Sequence, residues 1–261
     1  MNGLLWIIVI CATAAPPATA PAAQGQTQTA AQEALQRQLD EIDQRVAKIT
    51  SLRADFEQQK HTPMLRQPLV SVGNLLVKGD KVRWDTRKPQ PSAMQISGGS
   101  SGIEGEIKIY YPDATVVEIY KAQGDLRELS GSPLPRIALL RRYFDFSKID
   151  ASDMGIKAGD DGRFIALELK PRTDDLKEHI TSVRVLMDAS VPCIKKLSML
   201  DADGDRTEIE FKNVQINADI DDAALELKVP PGTRVSRPLG GDAGSSASQP
   251  ASSLPRRESG K

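Results

Sequence analysis

The chain has 261 residues, 39% hydrophobic, 26% charged and only 4% aromatic, with 34 Lys+Arg against 35 Asp+Glu and a formal net charge of −1. Such a length supports a full hydrophobic core without disulfide staples, and the balanced charge speaks against nucleic acid as a partner, because phosphate binding draws on a basic excess. With His61 and His179 as its two histidines, the chain has little material for general-base or metal chemistry, so no enzyme, metal or organic cofactor is expected.

At the amino terminus, Leu4–Ala15 is apolar but shorter than the roughly 20 residues that span a bilayer as a helix. Small residues follow, with Ala18-Thr19-Ala20 and Ala20-Pro21-Ala22 matching the A-x-A cleavage pattern. Residues 1–23 are therefore expected to form a secretory signal peptide and 24–31 a flexible leader, which exports a soluble mature chain from the cytoplasm. Cys11 leaves with the signal, and the bulky Ile10 before it does not suit lipoprotein processing. Cys193 then has no intramolecular partner and is expected as a buried or half-buried thiol in a strand.

The folded domain is expected over 32–236. Leu35, Leu39, Ile42, Val46 and Ile49 recur at spacings of three and four, one apolar stripe of a helix whose polar face carries Glu41, Asp43, Arg45 and Lys48. At Leu52 the period changes to two, and Leu52–Gln58 reads as a half-buried strand. Further strands are expected at Leu69–Val77, Lys81–Asp85, Glu106–Tyr111, Thr115–Tyr120, Arg163–Lys170, Ile180–Asp188, Ile194–Leu200, Arg206–Val214 and Ala224–Val229. Turn signals such as Asp160-Asp161-Gly162 and Asp203-Gly204 join them into an antiparallel meander. One short helix interrupts it at Ile137–Tyr143, opened by Pro135. The Gly/Ser/Pro-rich residues 237–261 cannot bury enough surface to order themselves and read as a disordered tail.

Most chemical motifs dissolve on inspection. Asp201, Asp203 and Asp205 have the spacing that opens a calcium loop, but Arg206 occupies the glycine position and Lys212 the final carboxylate position, so a hairpin turn is expected. The glycine run Ser97–Gly102 lacks the Gly-Lys-Ser/Thr ending of a phosphate loop. His61 is expected in a loop and His179 beside a strand, both solvated, and Arg141-Arg142 at a solvated helix end. What remains is apolar strand faces: a curled antiparallel sheet under one amphipathic helix can enclose a hollow for a ligand.

Several pieces, in order, resemble one known family. They are Ile49–Gln59, Gly73–Lys78, Val82-Arg83-Trp84, Tyr110-Tyr111-Pro112, the helix Ile137–Tyr143, Leu167–Pro171, Ile209–Asn217 and Val229-Pro230-Pro231-Gly232. Together they resemble the periplasmic lipoprotein carrier family LolA over roughly Leu35–Val235. The resemblance implies an α+β fold, an incomplete antiparallel β-barrel of about eleven strands with a helical lid over an apolar cavity. It implies a periplasmic chaperone of outer-membrane biogenesis, a monomer that takes acylated lipoproteins from an inner-membrane ABC exporter to an outer-membrane receptor or membrane. It places Val82 and Trp84 on the cavity wall and Ile137, Leu139 and Leu140 in the lid, with Leu75, Val77, Ile209 and Phe211 as further acyl-binding positions. An alternative within the same resemblance is a lipid or lipoprotein sensor regulating a membrane-bound partner. One family feature is missing: Gly79-Asp80 follows Lys78 where the family has an Arg-Pro pair that latches the lid. Lys78, Lys81 and Arg83 are the candidates to replace it.

Overall fold

Helix α1 spans Gln26–Val46 and turns Leu35, Leu39, Ile42 and Val46 into the core. In the computed structural model the described residues are 26–97, 105–122, 132–157 and 163–238. The expected signal peptide, nearly all of the expected tail, the Ser97–Gly102 run after its first residue and the whole Asp160-Asp161-Gly162 turn lie outside them. The helix reaches back into the stretch expected as a leader, where Gln and Ala, both good helix formers, alternate with Thr.

Among the described residues twelve strands follow: β1 (Ser51–His61), β2 (Leu69–Lys78), β3 (Lys81–Lys88), β4 (Ser92–Ser97), β5 (Gly105–Tyr111), β6 (Val116–Ala122), β7 (Phe144–Ile149), β8 (Phe164–Pro171), β9 (Ile180–Asp188), β10 (Ile194–Asp201), β11 (Arg206–Ile216) and β12 (Arg234–Ser236). Helix α2 (Ile137–Tyr143) precedes β7, α3 (Asp174–Lys177) lies between β8 and β9, and α4 (Asp222–Leu225) follows β11. The strands make one open sheet in the order β12-β6-β5-β4-β3-β2-β1-β11-β10-β9-β8-β7. The chain lays down β1 to β6 as a meander outward from the centre, then returns from the far edge, β7 to β11, to pair β11 with β1. The open sheet fits the expected incomplete barrel of about eleven strands, and β12 departs from the antiparallel rule by pairing in parallel with β6.

Period two sorts the side chains onto two faces. The inner face, under α1, carries Leu52, Ala54 and Phe56 of β1, Leu75 and Val77 of β2, Val82 and Trp84 of β3, and Val183, Val185 and Met187 of β9. Trp84 sits between Phe56 and Phe211, with ring centroids 4.7 and 5.9 Å away in tilted and edge-on contacts. Gly73 makes room for that stack: a Cβ there would lie 2.6 Å from the Phe56 ring and 2.0 Å from the Asp85 carbonyl. The outer face is polar, laced by ion pairs such as Lys212–Glu57 at 2.8 Å and Arg184–Glu168 at 3.1 Å. A small second core of Ala151, Met154, Ala166 and Leu186 lies apart from the main one.

Three sequence expectations change. The alternating Ala224–Val229 is not a strand: Asp221 accepts from the Ala223 amide at 3.0 Å, capping the short helix α4, after which Leu227 donates its amide to the Gln95 side chain instead of to a ladder. His61 is not in a loop but ends β1, paired with Arg206. Strands β4 and β7 add to the expected set; Ala93, Met94, Gln95 and Ile96 are all buried, so β4 shows no alternation.

Candidate functional site

The inner face is closed by α1 and, beyond it, by α2. The two helices run antiparallel, and α1 supplies what holds α2 in place. The Ile137 amide at the start of α2 donates to Asp43 Oδ1 at 3.0 Å, a carboxylate capping a helix start from a neighbouring helix. One turn on, Arg141 pairs with Asp40 at 2.8 Å and reaches the Gln36 carbonyl at 3.4 Å. The ends of the lid segment are pinned to the sheet, where Ile194 donates to the Pro133 carbonyl and Arg172 to that of Tyr143.

α1 is anchored in turn at its carboxyl end. Both Arg45 guanidinium nitrogens donate, at 2.6 Å, to the carbonyls of Ala189 and Ser190 after β9. That turn is fixed by Asp188, which takes two hydrogen bonds from Arg163 at 2.7 and 3.0 Å and one from the Ser190 amide at 2.8 Å. Burial would raise the Asp188 pKa, but these donors prevail and hold it down at about 2.

Between the end of α1, the β2–β3 turn, β4 and α2 lies a cavity of about 760 Å³, within the usual range of small-ligand sites, roughly 300–1,000 Å³. Val46, Ile49, Val77, Val82, Ile96, Leu134 and Leu139 supply apolar lining, and Asp43, Asp80, Arg136 and Arg142 supply charge. Of the residues expected at an acyl site, Val77, Val82 and Leu139 line this cavity. The others do not: Leu75, Trp84, Ile137 and Phe211 are buried in the main core, and Leu140 and Ile209 pack half-buried against it. Val46, Ile49, Ile96 and Leu134 are lining residues that sequence reasoning did not single out as site residues. Val46 ends α1 and Ile49 lies just beyond it, although the sequence stripe runs through both, and Leu134 stands between two prolines.

The candidates for the missing latch do not touch α2. Lys78 donates to the Ile220 carbonyl at 2.8 Å and pairs with Asp222 at 2.8 Å; Lys81 pairs with Glu226 at 3.0 Å; Arg83 donates to the Glu226 carbonyl at 2.9 Å. All three hold the segment 218–228 against the outer face, over Gln95, which is buried and bonds Glu226 at 3.1 Å. The reason is register: Val82 and Trp84 face inward, so Lys81 and Arg83 face outward. Hydrogen bonding from Lys81 and Gln95 lowers the Glu226 pKa, and that from Lys78 lowers the Asp222 pKa.

Other candidate chemistry is accounted for locally. Asp201 and Asp205 close a turn, the Asp205 amide donating to Asp201 Oδ1 at 2.8 Å, with Gly204 at φ +86°. Cys193 is 3% exposed and burial pushes its thiol up to about 11, the reverse of nucleophile activation. Among the described residues no group of three His, Cys, Asp or Glu side chains is placed to hold a metal ion, and no helix is long and apolar enough to cross a membrane. On β5 and β6, Tyr120 donates to Glu118 Oε2 at 2.9 Å, and burial with the same carboxylate pushes Tyr111 up to about 12.

A family model described as outer membrane lipoprotein carrier protein LolA matches residues 47–228. A curated outer-membrane lipoprotein carrier protein from Chromohalobacter salexigens is 26% identical over 238 residues, covering 91% of this chain and 99% of that protein. Among solved structures, an uncharacterized conserved protein from Thermus thermophilus aligns with a TM-score of 0.48 at 12% identity, over 78% of this chain and 99% of that one. A LolA superfamily protein from Nitrosomonas europaea aligns with a TM-score of 0.38 at 12% identity, over 74% and 97%.

Proposed function

The chain belongs to the LolA family of outer membrane lipoprotein carrier proteins, and on that premise we propose that it is a periplasmic carrier of lipoprotein acyl chains. Its cargo passes from an inner-membrane ABC exporter to an outer-membrane receptor or membrane. Each buried CH₂ is worth about 0.8 kcal/mol, so an acyl chain of ~16 carbons carries roughly 12 kcal/mol of transfer free energy. An aqueous gap is closed to such a chain without a protein hollow that recovers most of that energy and still gives it up at the far side.

The observation that carries the reading is the cavity of about 760 Å³ with its apolar lining beneath α2. The lid meets the cavity through Leu139 and Ala138 and is held from behind by Asp43 and Asp40 of α1. An acyl chain entering between Leu139 and the Val77–Val82 wall adds apolar contact without breaking the core. A lid held by a few hydrogen bonds yields to cargo for a differential free energy of a few kcal/mol. The charged residues at the cavity, Arg136, Arg142, Asp43 and Asp80, suit the polar end of an amphiphile.

Leu139→Glu puts a carboxylate against the apolar wall. Native mass spectrometry of protein recovered from a bacterial envelope is expected to find acylated protein or lipid on the parent chain and at least tenfold less on the variant. Equal occupancy in the two would overturn the reading.

A further inference from the structure

Among the described residues, four of the seven exposed large apolar side chains cluster in one place, the others being Ile216, Val229 and Val235. Met64 is 92% exposed, Leu65 48%, Leu69 46% and Val70 44%, all on the connection between β1 and β2 or the first residues of β2. They sit at the opposite end of the strands from the cavity, because the cavity meets β2 and β3 at Val77–Val82 and the connection lies a full strand length away. Nothing in the core needs them. A water-facing hairpin tip is ordinarily built from Gly, Asn, Asp and Ser; this one is Thr62-Pro63-Met64-Leu65-Arg66-Gln67-Pro68. Two prolines stiffen it, which lowers the entropy lost when the tip is held.

Its charge is one-sided. Residues 58–72 hold Lys60 and Arg66 and no Asp or Glu; residues 86–97, which include the neighbouring β3–β4 turn, hold Arg87 and Lys88 and again no acid. Register places the two connections side by side, Val72 opposite Lys88. Lys60 is drawn to Asp205 at 2.8 Å and Arg87 to Asp55 at 3.7 Å, so the cationic excess rests on Arg66 and Lys88. Across β1, the β10–β11 turn carries Asp201, Asp203 and Asp205. The tip is thus apolar at its point, basic on its β3 side and acidic on its β11 side.

We propose that the β1–β2 tip docks on an anionic lipid bilayer, with Met64 and Leu65 entering the interface, Leu69 and Val70 following, and Arg66 and Lys88 over the lipid phosphates. Apolar points flanked by cations partition to such surfaces through the combination of buried area and attraction to anionic headgroups. The acidic turn fixes the tilt, since it turns the β11 side away and the β3–β4 side toward the lipid. The proposal deepens the carrier reading, on which it rests for its biological sense: the hold on cargo and the hold on the membrane stand at opposite ends of β2.

Flotation with vesicles of phosphatidylethanolamine and phosphatidylglycerol, at low and at physiological salt, tests it on the full chain. The parent is expected to float with these vesicles, less so at higher salt, and hardly at all with pure phosphatidylcholine. Met64→Asp/Leu65→Asp is expected to cut partitioning at least about tenfold, and Arg66→Ala/Lys88→Ala to remove most of the salt dependence. Uptake of a fluorescent fatty-acyl probe, read in parallel, should be unchanged in both tip variants and lost in Leu139→Glu, which should still float. Failure of the tip and failure of the cavity are thereby told apart. Flotation unaffected by Met64→Asp/Leu65→Asp, or flotation only when an envelope protein is added to the vesicles, would overturn the proposal.

Discussion

Two covers close the same end of the sheet from opposite faces, and they are built differently. On the inner face α2 rests on a cavity, with Ile137 as its buried anchor and hydrogen bonds to α1 as its main hold. On the outer face the segment 218–228 buries Ile220 at 2% and Leu225 at 0% exposure and is ringed by Lys78, Lys81 and Arg83. The first has a cavity beneath it, whereas the second sets Ile220 and Leu225 into the protein. A cover over empty volume loses little when it lifts, whereas one that fills its own socket loses packing over its whole area. On the carrier reading, the inner cover is the one expected to move and the outer one to stay.

The sharpest way to break this contrast is to truncate an anchor on each side. Leu225→Ala is expected to cost about 2–5 kcal/mol in denaturant unfolding, the usual range for a fully buried leucine. Leu139→Ala, which enlarges a hollow already present, should cost under about 1 kcal/mol. Similar losses from the two would mean that the lid is as much part of the core as the strap.

Acid provides the next test. The Asp188 pKa is about 2 in the folded chain against about 3.9 unfolded. Its contribution, about 2 kcal/mol, is fully present above pH 4 and disappears as pH falls from about 4 to 2. Asp188 shapes the turn that seats Arg45, and through α1 that seat supports α2. Asp188→Asn is expected to lower stability at pH 7 by a similar amount and to flatten the acid limb below pH 4. An unchanged acid limb would detach Asp188 from the lid's support.

Asp43→Ala removes the carboxylate from the start of α2. A lost cap costs about 0.5–2 kcal/mol, here spent locally: amide exchange over 137–143 should quicken several-fold while that over 218–228 stays constant. Equal quickening in both segments would join the two covers into one unit. Smallest is Lys81→Ala. Its pair with Glu226 is largely exposed, so the smallest drop in thermal unfolding is expected, vanishing at high salt.

Much of the sheet is legible in the sequence because one face is greasy and the other charged. Thr207-Glu208-Ile209-Glu210-Phe211-Lys212 reads as β11 on that ground alone. The same rule fails where both faces are covered: β4 lies under the inner core through Met94 and Ile96 and under the strap through Ala93 and Gln95, and its alternation is gone. It misleads at Leu225-Leu227-Val229, where alternation is present but the Asp221 cap starts a helical turn first. The outward aim of Lys81 and Arg83 followed from the inward aim of Val82 and Trp84, so their absence from the lid was deducible. The real latch was not, because Asp43 and Ile137 stand 94 positions apart and meet only once two helices dock. For the cavity, Val77, Val82 and Leu139 were within reach of family resemblance; which apolar residues border space and which fill it depends on packing that no local pattern records.

The pairing of β1 with β11, from Leu52 against Ile216 to His61 against Arg206, bears on how the molecule matures. Each flank is a run of neighbouring hairpins that can zip early, but the weld between them joins residues about 150 positions apart and belongs to the slow, non-local class of steps. A nascent chain delivered amino end first can assemble the β1–β6 flank and still present an unmated edge along β1 until Ile216 has emerged. Completion of the sheet thus waits on the arrival of its last long strand, β11.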